Sequence, residues 1–386
     1  MTLLTDSAAV ADFCARQAGT DFIAVDTEFM RERTYWSRLC LLQIAGPTEA
    51  VAIDTLAPGL DLAPVVALFD NPAVLKVFHA ARQDVEIFVH LTGRVPAPLF
   101  DTQVAAMVCG FGDAVSYETL AAKLAGARID KSSRFTDWSR RPLSDRQLHY
   151  ALSDVTHLRL AYEKLKQRLE RSDRTPWLSE EMAILTDTAT YRAEPRQMWR
   201  RLKVRSSNRR LLSVLRELAA WRENEAQTRD LPRGHVLRDE ALLEIASHMP
   251  RNAEDLAQTR GLGRGLAVGA QGAAILAAVE RGLAVPESEW PEPVERPDLP
   301  SGLAPLTDLL RVLLKTKCEA AGVAQRLVAS GDDLQLIAAD DAASVPALHG
   351  WRHGLFGADA LALKHGRLSL TVAEGSVRIV PLGAGE

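Results

Sequence analysis

The chain has 386 residues, 47% of them hydrophobic and 25% charged, with a formal net charge of −4; it is long enough for two or three globular domains. No apolar run approaches the length of a membrane span, and the N-terminal MTLLTDSAAVADF lacks a basic stretch followed by an apolar one, so neither a spanning helix nor a secretory signal is expected. Cys14, Cys40, Cys109 and Cys318 form no CxxC pair, which argues against a thiolate zinc site and fits a reducing cytoplasm.

The first 170 residues read as α/β. DFIAVDTEF has the β-branched and aromatic content of a strand. RLCLLQIAG and EAVAIDTL follow as a meander around a Gly46-Pro47 turn. A helical stretch near Leu62–Phe69 precedes the strand AVLKVFHA. A helix from about Arg82 to Leu91 places Val85, Phe88 and Val89 on one face, and PLFDT is a last short strand. Hairpin-linked strands followed by αβαβ imply a mixed sheet covered by helices. SYETLAAKLAG is a helix with Ser116 as N-cap and Gly126 as terminator. Ser144 opens a longer helix with Gln147 at the capping-box position.

Beyond Glu180 the chain turns helical and arginine-rich, with eight basic residues and one acid between Arg192 and Arg210. The overall charge is not that of a nucleic-acid binder, but a local patch of this kind matters more than the sum. A small all-α module is expected over about 205–285. The proline- and acid-rich VPESEWPEPVERPDLPSG reads as a linker. The final segment begins with two helical runs and ends in LSLTVAEGSVRIV, a hairpin around Glu374-Gly375.

Chemistry concentrates at five positions. Asp26 and Glu28 lie at i and i+2 of a strand, so both project from one face. Two carboxylates on an apolar strand are costly without a partner, and a magnesium ion is a natural one. Asp84 opens a helix directly after a strand. Asp154 sits between Leu152 and Val155 on a helix, and Tyr150, four residues earlier, shares its face. His149 is a competing choice, but five residues of helix turn its side chain roughly 140° from Asp154, which favours Tyr150. Taken singly, each acid has an ordinary structural explanation; the ordered set on strand, helix and helix does not.

The motifs AVDTEF, VFHAARQD and HYALSD resemble, in that order, the three exonuclease motifs of the DEDD superfamily in its tyrosine-bearing branch. TDWSRRPLSDRQLHYALSDVTHL looks like the ribonuclease D family, and LPRGHVLRDEALLEIA is similar to its helicase-and-RNase-D C-terminal (HRDC) domain. The resemblance implies an α/β ribonuclease-H-like exonuclease domain, a mixed sheet flanked by helices, over 1–200. An HRDC domain over 205–285, a linker over 286–300 and a diverged second HRDC-like domain over 301–386 follow. It implies 3′→5′ hydrolysis of RNA to nucleoside 5′-monophosphates and the maturation of the 3′ ends of structured RNAs such as tRNA precursors; a cytoplasmic monomer is expected. By motif position Asp26, Glu28, Asp84 and Asp154 carry over as ligands of two Mg²⁺ or Mn²⁺ ions, and Tyr150 as the residue that orients the attacking water. Phe29, Gln43, Gln83, Lys131 and Trp138, with Arg134 in the same polar loop, are further candidates for substrate contact. A DNA 3′→5′ exonuclease using the same carboxylates, or a non-catalytic RNA-binding adaptor, are the alternatives.

Overall fold

The computed structural model describes residues 2–204, 206–293 and 299–382. The chain divides into two compact units, Met1–Glu28 with Leu39–Thr190 and Asp298–Glu386, and Phe29–Arg38 with Tyr191–Pro297.

In the first unit a six-stranded mixed sheet has the order β1-β4-β3-β2-β5-β6, from Thr2–Leu4 (β1), Phe22–Met30 (β2), Arg38–Ala45 (β3), Ala50–Ile53 (β4), Leu75–Phe78 (β5) and Leu99–Asp101 (β6). β1 pairs parallel with β4, β4 antiparallel with β3, and β5 parallel with both β2 and β6. β2 is therefore central, and its Ile23, Ala24 and Val25 are fully buried. Covering helices are Ser7–Gln17 (α1), Ala63–Asp70 (α2), Arg82–Thr92 (α3), Thr102–Val108 (α4), Tyr117–Ala125 (α5), Asp145–Arg171 (α6) and Thr175–Thr186 (α7). The expected caps form. Ser116 accepts from the Thr119 amide and Gly126 ends α5 at φ 65°, a left-handed conformation glycine adopts without strain. Ser144 and Gln147 make a reciprocal capping box that starts α6. Lys76 is fully buried in β5 and donates to the carbonyls of Asn71, Val74 and Ala97 at 2.9, 2.8 and 2.5 Å, tying β5 to the approach to β6. Burial pushes its ammonium down to about 8.

The second unit is helical: Arg209–Thr228 (α8), Arg233–Val236 (α9), Asp239–His248 (α10), Ala253–Ala257 (α11), Arg264–Val268 (α12) and Ala270–Ala284 (α13). Its core joins Leu212, Leu215 and Leu218 of α8 to Leu242, Ile245, Ile275 and Val279. The β2–β3 connection belongs to this unit. Tyr35 donates its hydroxyl to the buried Glu223 carboxylate, Arg233 stacks 4.8 Å over the Tyr35 ring, and the Trp36 amide donates to Asp230 at 2.9 Å.

The last segment rejoins the first unit. Ala304–Ala321 (α14), Gln325–Val328 (α15), Gly331–Ala339 (α16), Gly350–Arg352 (α17) and Ala358–Lys364 (α18) precede a hairpin of Leu368–Ala373 (β7) and Ser376–Pro381 (β8). Glu374 and Gly375 both have positive φ, 53° and 75°, as a two-residue hairpin of right-handed twist requires. The Trp177 ring of α7 stacks on Trp351 of α17 at 4.3 Å. Arg352 pairs with Glu180 and Glu181 of α7, and Arg174 donates to the carbonyls of Val108 and Gly322 at 3.0 and 3.1 Å. All four cysteines are free. No helix among the described residues is long and apolar enough to cross a membrane.

α8 and α13 meet where Gly282 leaves no room: a β-carbon there would lie 2.5 Å from Val214 Cα. Gly282→Ala should destabilise the helical unit by about 1–3 kcal/mol, the range for overpacking a close contact. Denaturant unfolding checks this; an unshifted midpoint would show that the helices separate freely.

Candidate active site

β2 carries Asp26 and Glu28 onto one face, and α6 brings Asp154 to them. One carboxylate oxygen from each of the three lies within 4.8 Å of the others. Asp84, in the first turn of α3, is buried beside them but accepts a short hydrogen bond from the Thr27 hydroxyl. Thr27 thus steers the fourth carboxylate from between the first two. The turn into α3 is itself held by a buried acid. Asp101, at the end of β6, accepts from the amides of Ala80, Ala81 and Gln103 at 2.9, 2.8 and 2.8 Å. This clamps the left-handed turn at Ala80, φ 58°, from which α3 starts.

Electrostatics follow from crowding. Burial and then the charges of Asp154, Asp84 and Glu28 hold the Asp26 carboxyl well above its usual range; Glu28 is raised by burial and by Asp154 and Asp84, against which Arg134 acts. Burial pushes Asp84 and Asp154 up to about 7, opposed by hydrogen bonds from Thr27 and Tyr150 respectively. Asp154 Oδ1 is buried and has no hydrogen-bond partner in the protein. Hard oxygen donors that repel one another, one of them with nothing to bind, are a donor set suited to a divalent cation.

Tyr150 donates its hydroxyl to Asp154, and burial with the nearby carboxylates raises its pKa, so the phenol stays protonated. His149 is exposed, and its charge neighbour is His157. Tyr117 of α5 donates to the backbone carbonyls of Ser153, at 3.2 Å, and Asp154, gripping α6 where it carries the acid. Arg141 holds the approach to α6 by pairing with the buried Asp54 at 2.6 Å and donating to the Cys40 carbonyl at 2.7 Å.

The candidate substrate contacts are placed unequally. Gln83 is exposed and Phe29 half-buried. Trp138 is 2% exposed, with its ring 6.1 Å from that of Tyr150, so it packs behind the tyrosine and offers no free face. Gln43 is fully buried in β3 with neither amide atom partnered; enclosed there, it presents no atom at the surface. Lys131 lies in a short 3₁₀ turn, Lys131–Ser133, and its side chain is outside the described residues. Sequence reasoning missed Thr27, Tyr117 and Asp101. Thr27 was visible as a hydroxyl flanked by both acids, and Asp101 as the acid in PLFDT preceding a helix.

Two family models match the chain: a 3′-5′ exonuclease model over residues 1–170 and an HRDC domain model over 212–279. The chain is 52% identical over 386 residues to ribonuclease D of Granulibacter bethesdensis, covering 99% of this chain and 97% of that one. It is 52% identical over 381 residues to ribonuclease D of Jannaschia sp., covering 98% of each. Among solved structures it resembles Escherichia coli RNase D, described as an exoribonuclease involved in structured RNA processing. The TM-score is 0.80 at 29% identity, over 95% of this chain and 98% of that one. The catalytic core of RRP6 from Trypanosoma brucei shares the fold at a TM-score of 0.53 and 23% identity, over 73% of this chain and 79% of that one.

The raised carboxyl pKa values make metal-free stability depend on pH. Asp84 and Asp154 titrate near 7 folded against 3.8 in an ordinary setting. The folded chain therefore keeps protons the unfolded chain has released, and the stabilising contribution present below about pH 4 is lost as pH rises towards 7. With EDTA the melting temperature should fall between pH 5 and pH 8. Asp26→Asn should flatten that slope, and magnesium should raise the melting temperature more at pH 8 than at pH 5. A pH-independent melting temperature with EDTA would contradict the crowding.

Proposed function

The chain belongs to the ribonuclease D family of 3′→5′ exoribonucleases, and on that premise we propose that Asp26, Glu28, Asp84 and Asp154 hold two Mg²⁺ or Mn²⁺ ions at which RNA is trimmed to nucleoside 5′-monophosphates. The observation that carries this reading is the convergence of Asp26, Glu28 and Asp154 within 4.8 Å. Divalent ions bound there would supply a nucleophilic water at neutral pH and stabilise the leaving 3′ oxygen.

The protein's own groups do the rest. Asp26 and Glu28 start from one face of the central strand, so the backbone sets where both side chains begin. Asp84, steered by Thr27, and Asp154, on a helix gripped by Tyr117, complete the negative surface. Tyr150 stays protonated, which makes it a poor base and a good orienting group. Its hydrogen points at Asp154, leaving the hydroxyl oxygen to accept a bond from the attacking water. With rigid donors in place, little reorganisation is needed when charge develops on the phosphate.

The segment 205–285 is proposed as an HRDC domain and 301–386 as a diverged second one, joined by the linker at 286–300, after a catalytic domain spanning 1–200. The substrates proposed are structured RNAs, the class stated for the E. coli relative, with tRNA precursors among them as the family resemblance implies. The protein is proposed to act as a cytoplasmic monomer, which sedimentation of the purified chain tests as to mass.

Asp26→Ala or Asp84→Ala should abolish magnesium-dependent RNA degradation while far-UV circular dichroism stays native. Full activity in either purified variant would sink the assignment. Tyr150→Phe should slow turnover on the order of 10- to 100-fold with RNA affinity largely kept, whereas His149→Ala should turn over like the parent. A Tyr150→Phe enzyme with unchanged kcat would move the role elsewhere. Matched RNA and DNA oligonucleotides, with magnesium and with EDTA, separate the ribonuclease from a DNA exonuclease; absence of any metal-dependent product would leave an adaptor.

A further inference from the structure

Phe135 is 91% exposed, the most exposed of the large hydrophobic residues described. A lone exposed apolar side chain is ordinary; the setting of this one is not. It stands on a loop fixed at both ends. Ser133 is buried and its carbonyl accepts from the Thr136 amide at 3.2 Å and hydroxyl at 2.8 Å. Trp138 is buried, and its carbonyl accepts from Arg141 at 2.8 Å. Gln147, in the first turn of α6, donates to the Thr136 hydroxyl at 3.2 Å and so ties the loop to the helix that carries Tyr150 and Asp154. The phenyl ring is thus presented by a braced support.

Arg134 lies beside it, with its guanidinium 5.2 Å from the Phe135 ring centre. That side chain is exposed and makes no ion pair among the described residues, while its charge acts on Glu28 and Asp154. An aromatic face and an unpaired guanidinium, side by side at the edge of a carboxylate cluster, match the two chemical parts of a nucleotide: a flat base with a π-face, and a phosphate.

We propose that Phe135 and Arg134 form a nucleotide subsite in which a base near the RNA 3′ end stacks on the Phe135 ring while Arg134 takes an adjoining phosphate. The proposal rests on the nuclease reading above. Every base has a π-face, so such a platform grips RNA irrespective of sequence, as a trimming enzyme needs. Arg134 completes it by offsetting the repulsion between an incoming phosphodiester and the carboxylates.

The test is binding of an oligoribonucleotide carrying 2-aminopurine at its penultimate 3′ position, in EDTA so that hydrolysis is stopped, with steady-state kinetics in magnesium alongside. Phe135→Ala and Phe135→Leu should weaken binding by about tenfold and lose the fluorescence quench that stacking produces. Phe135→Tyr should keep both within about twofold, the same stacking face being restored. KM should rise in the first two far more than kcat falls. Arg134→Ala should lower the slope of log Kd against log salt by about 0.7, the value for one phosphate contact on a single strand, and Arg134→Lys should restore it. Parent-like affinity and quenching in Phe135→Ala would overturn the subsite, as would a Phe135→Leu variant that binds as tightly as Phe135→Tyr. Either result would leave the nuclease assignment standing provided Asp26→Ala is inactive; a parent enzyme without magnesium-dependent RNA hydrolysis would instead remove the assignment itself.

Discussion

Repulsion among like charges is the constraint around which this site is built. Three carboxylates with oxygens within 4.8 Å, and a fourth close by, are held where burial already opposes ionisation. Left to themselves such groups would swing apart or take up protons. They cannot swing apart, because each is tied to something stiff, and so without a cation they hold protons to higher pH. Asp26 and Glu28 project from a strand flanked on both sides, Asp84 from a helix whose first turn is clamped by Asp101, and Asp154 from a long helix with a capping box at one end. The core around β2 holds this standing electrostatic cost in place, and a dication bound by these carboxylates would relieve it.

The neutral and cationic groups around the cluster divide the remaining work. Thr27 and Tyr117 touch an acid or its backbone and set direction. Tyr150 supplies a hydroxyl that burial keeps protonated. Arg134 contributes positive charge from the solvent side without forming, among the described residues, an ion pair that would neutralise a carboxylate outright. A guanidinium locked onto Glu28 or Asp154 would compete with a cation for the same oxygens; kept at the rim it moderates the field and leaves them free.

Local chemistry was legible in the residues. The carboxylate pair on one strand face, the helix spacing that joins Tyr150 to Asp154, the Ser144 capping box, the Gly126 terminator and the hairpin at Glu374-Gly375 all depend on neighbours within a few positions. The first strand and helix were not legible although Val10, Phe13, Cys14 and Gln17 are buried at helical spacing behind the Asp6 cap; the charges of this helix, Asp12 and Arg16, lie exposed on its other face and belong to no motif. Non-local relations were not legible. Nothing near Gln43 announces that both sheet faces will be covered there, and nothing near Trp138 announces that it will back Tyr150. The grouping of Tyr35 with Glu223 and Arg233 joins residues almost two hundred positions apart, so no window along the chain can register it.

The sequence breaks at its proline-rich linker, yet the residues beyond it return to the sheet-bearing unit. Trp177 lies flat on Trp351, Arg352 answers Glu180 and Glu181, and Arg174 spans the carbonyls of Val108 and Gly322. A chain shortened to end at the linker would bare an indole face, strand two neighbouring acids and leave the Arg174 guanidinium without two of its three carbonyl acceptors, those of Ala321 and Gly322. Deletion mapping here therefore confounds recognition with integrity: weak activity in a truncated enzyme would report a damaged catalytic unit as readily as a missing RNA contact, and point substitutions on the outer face of α14–α18 are the means of telling them apart.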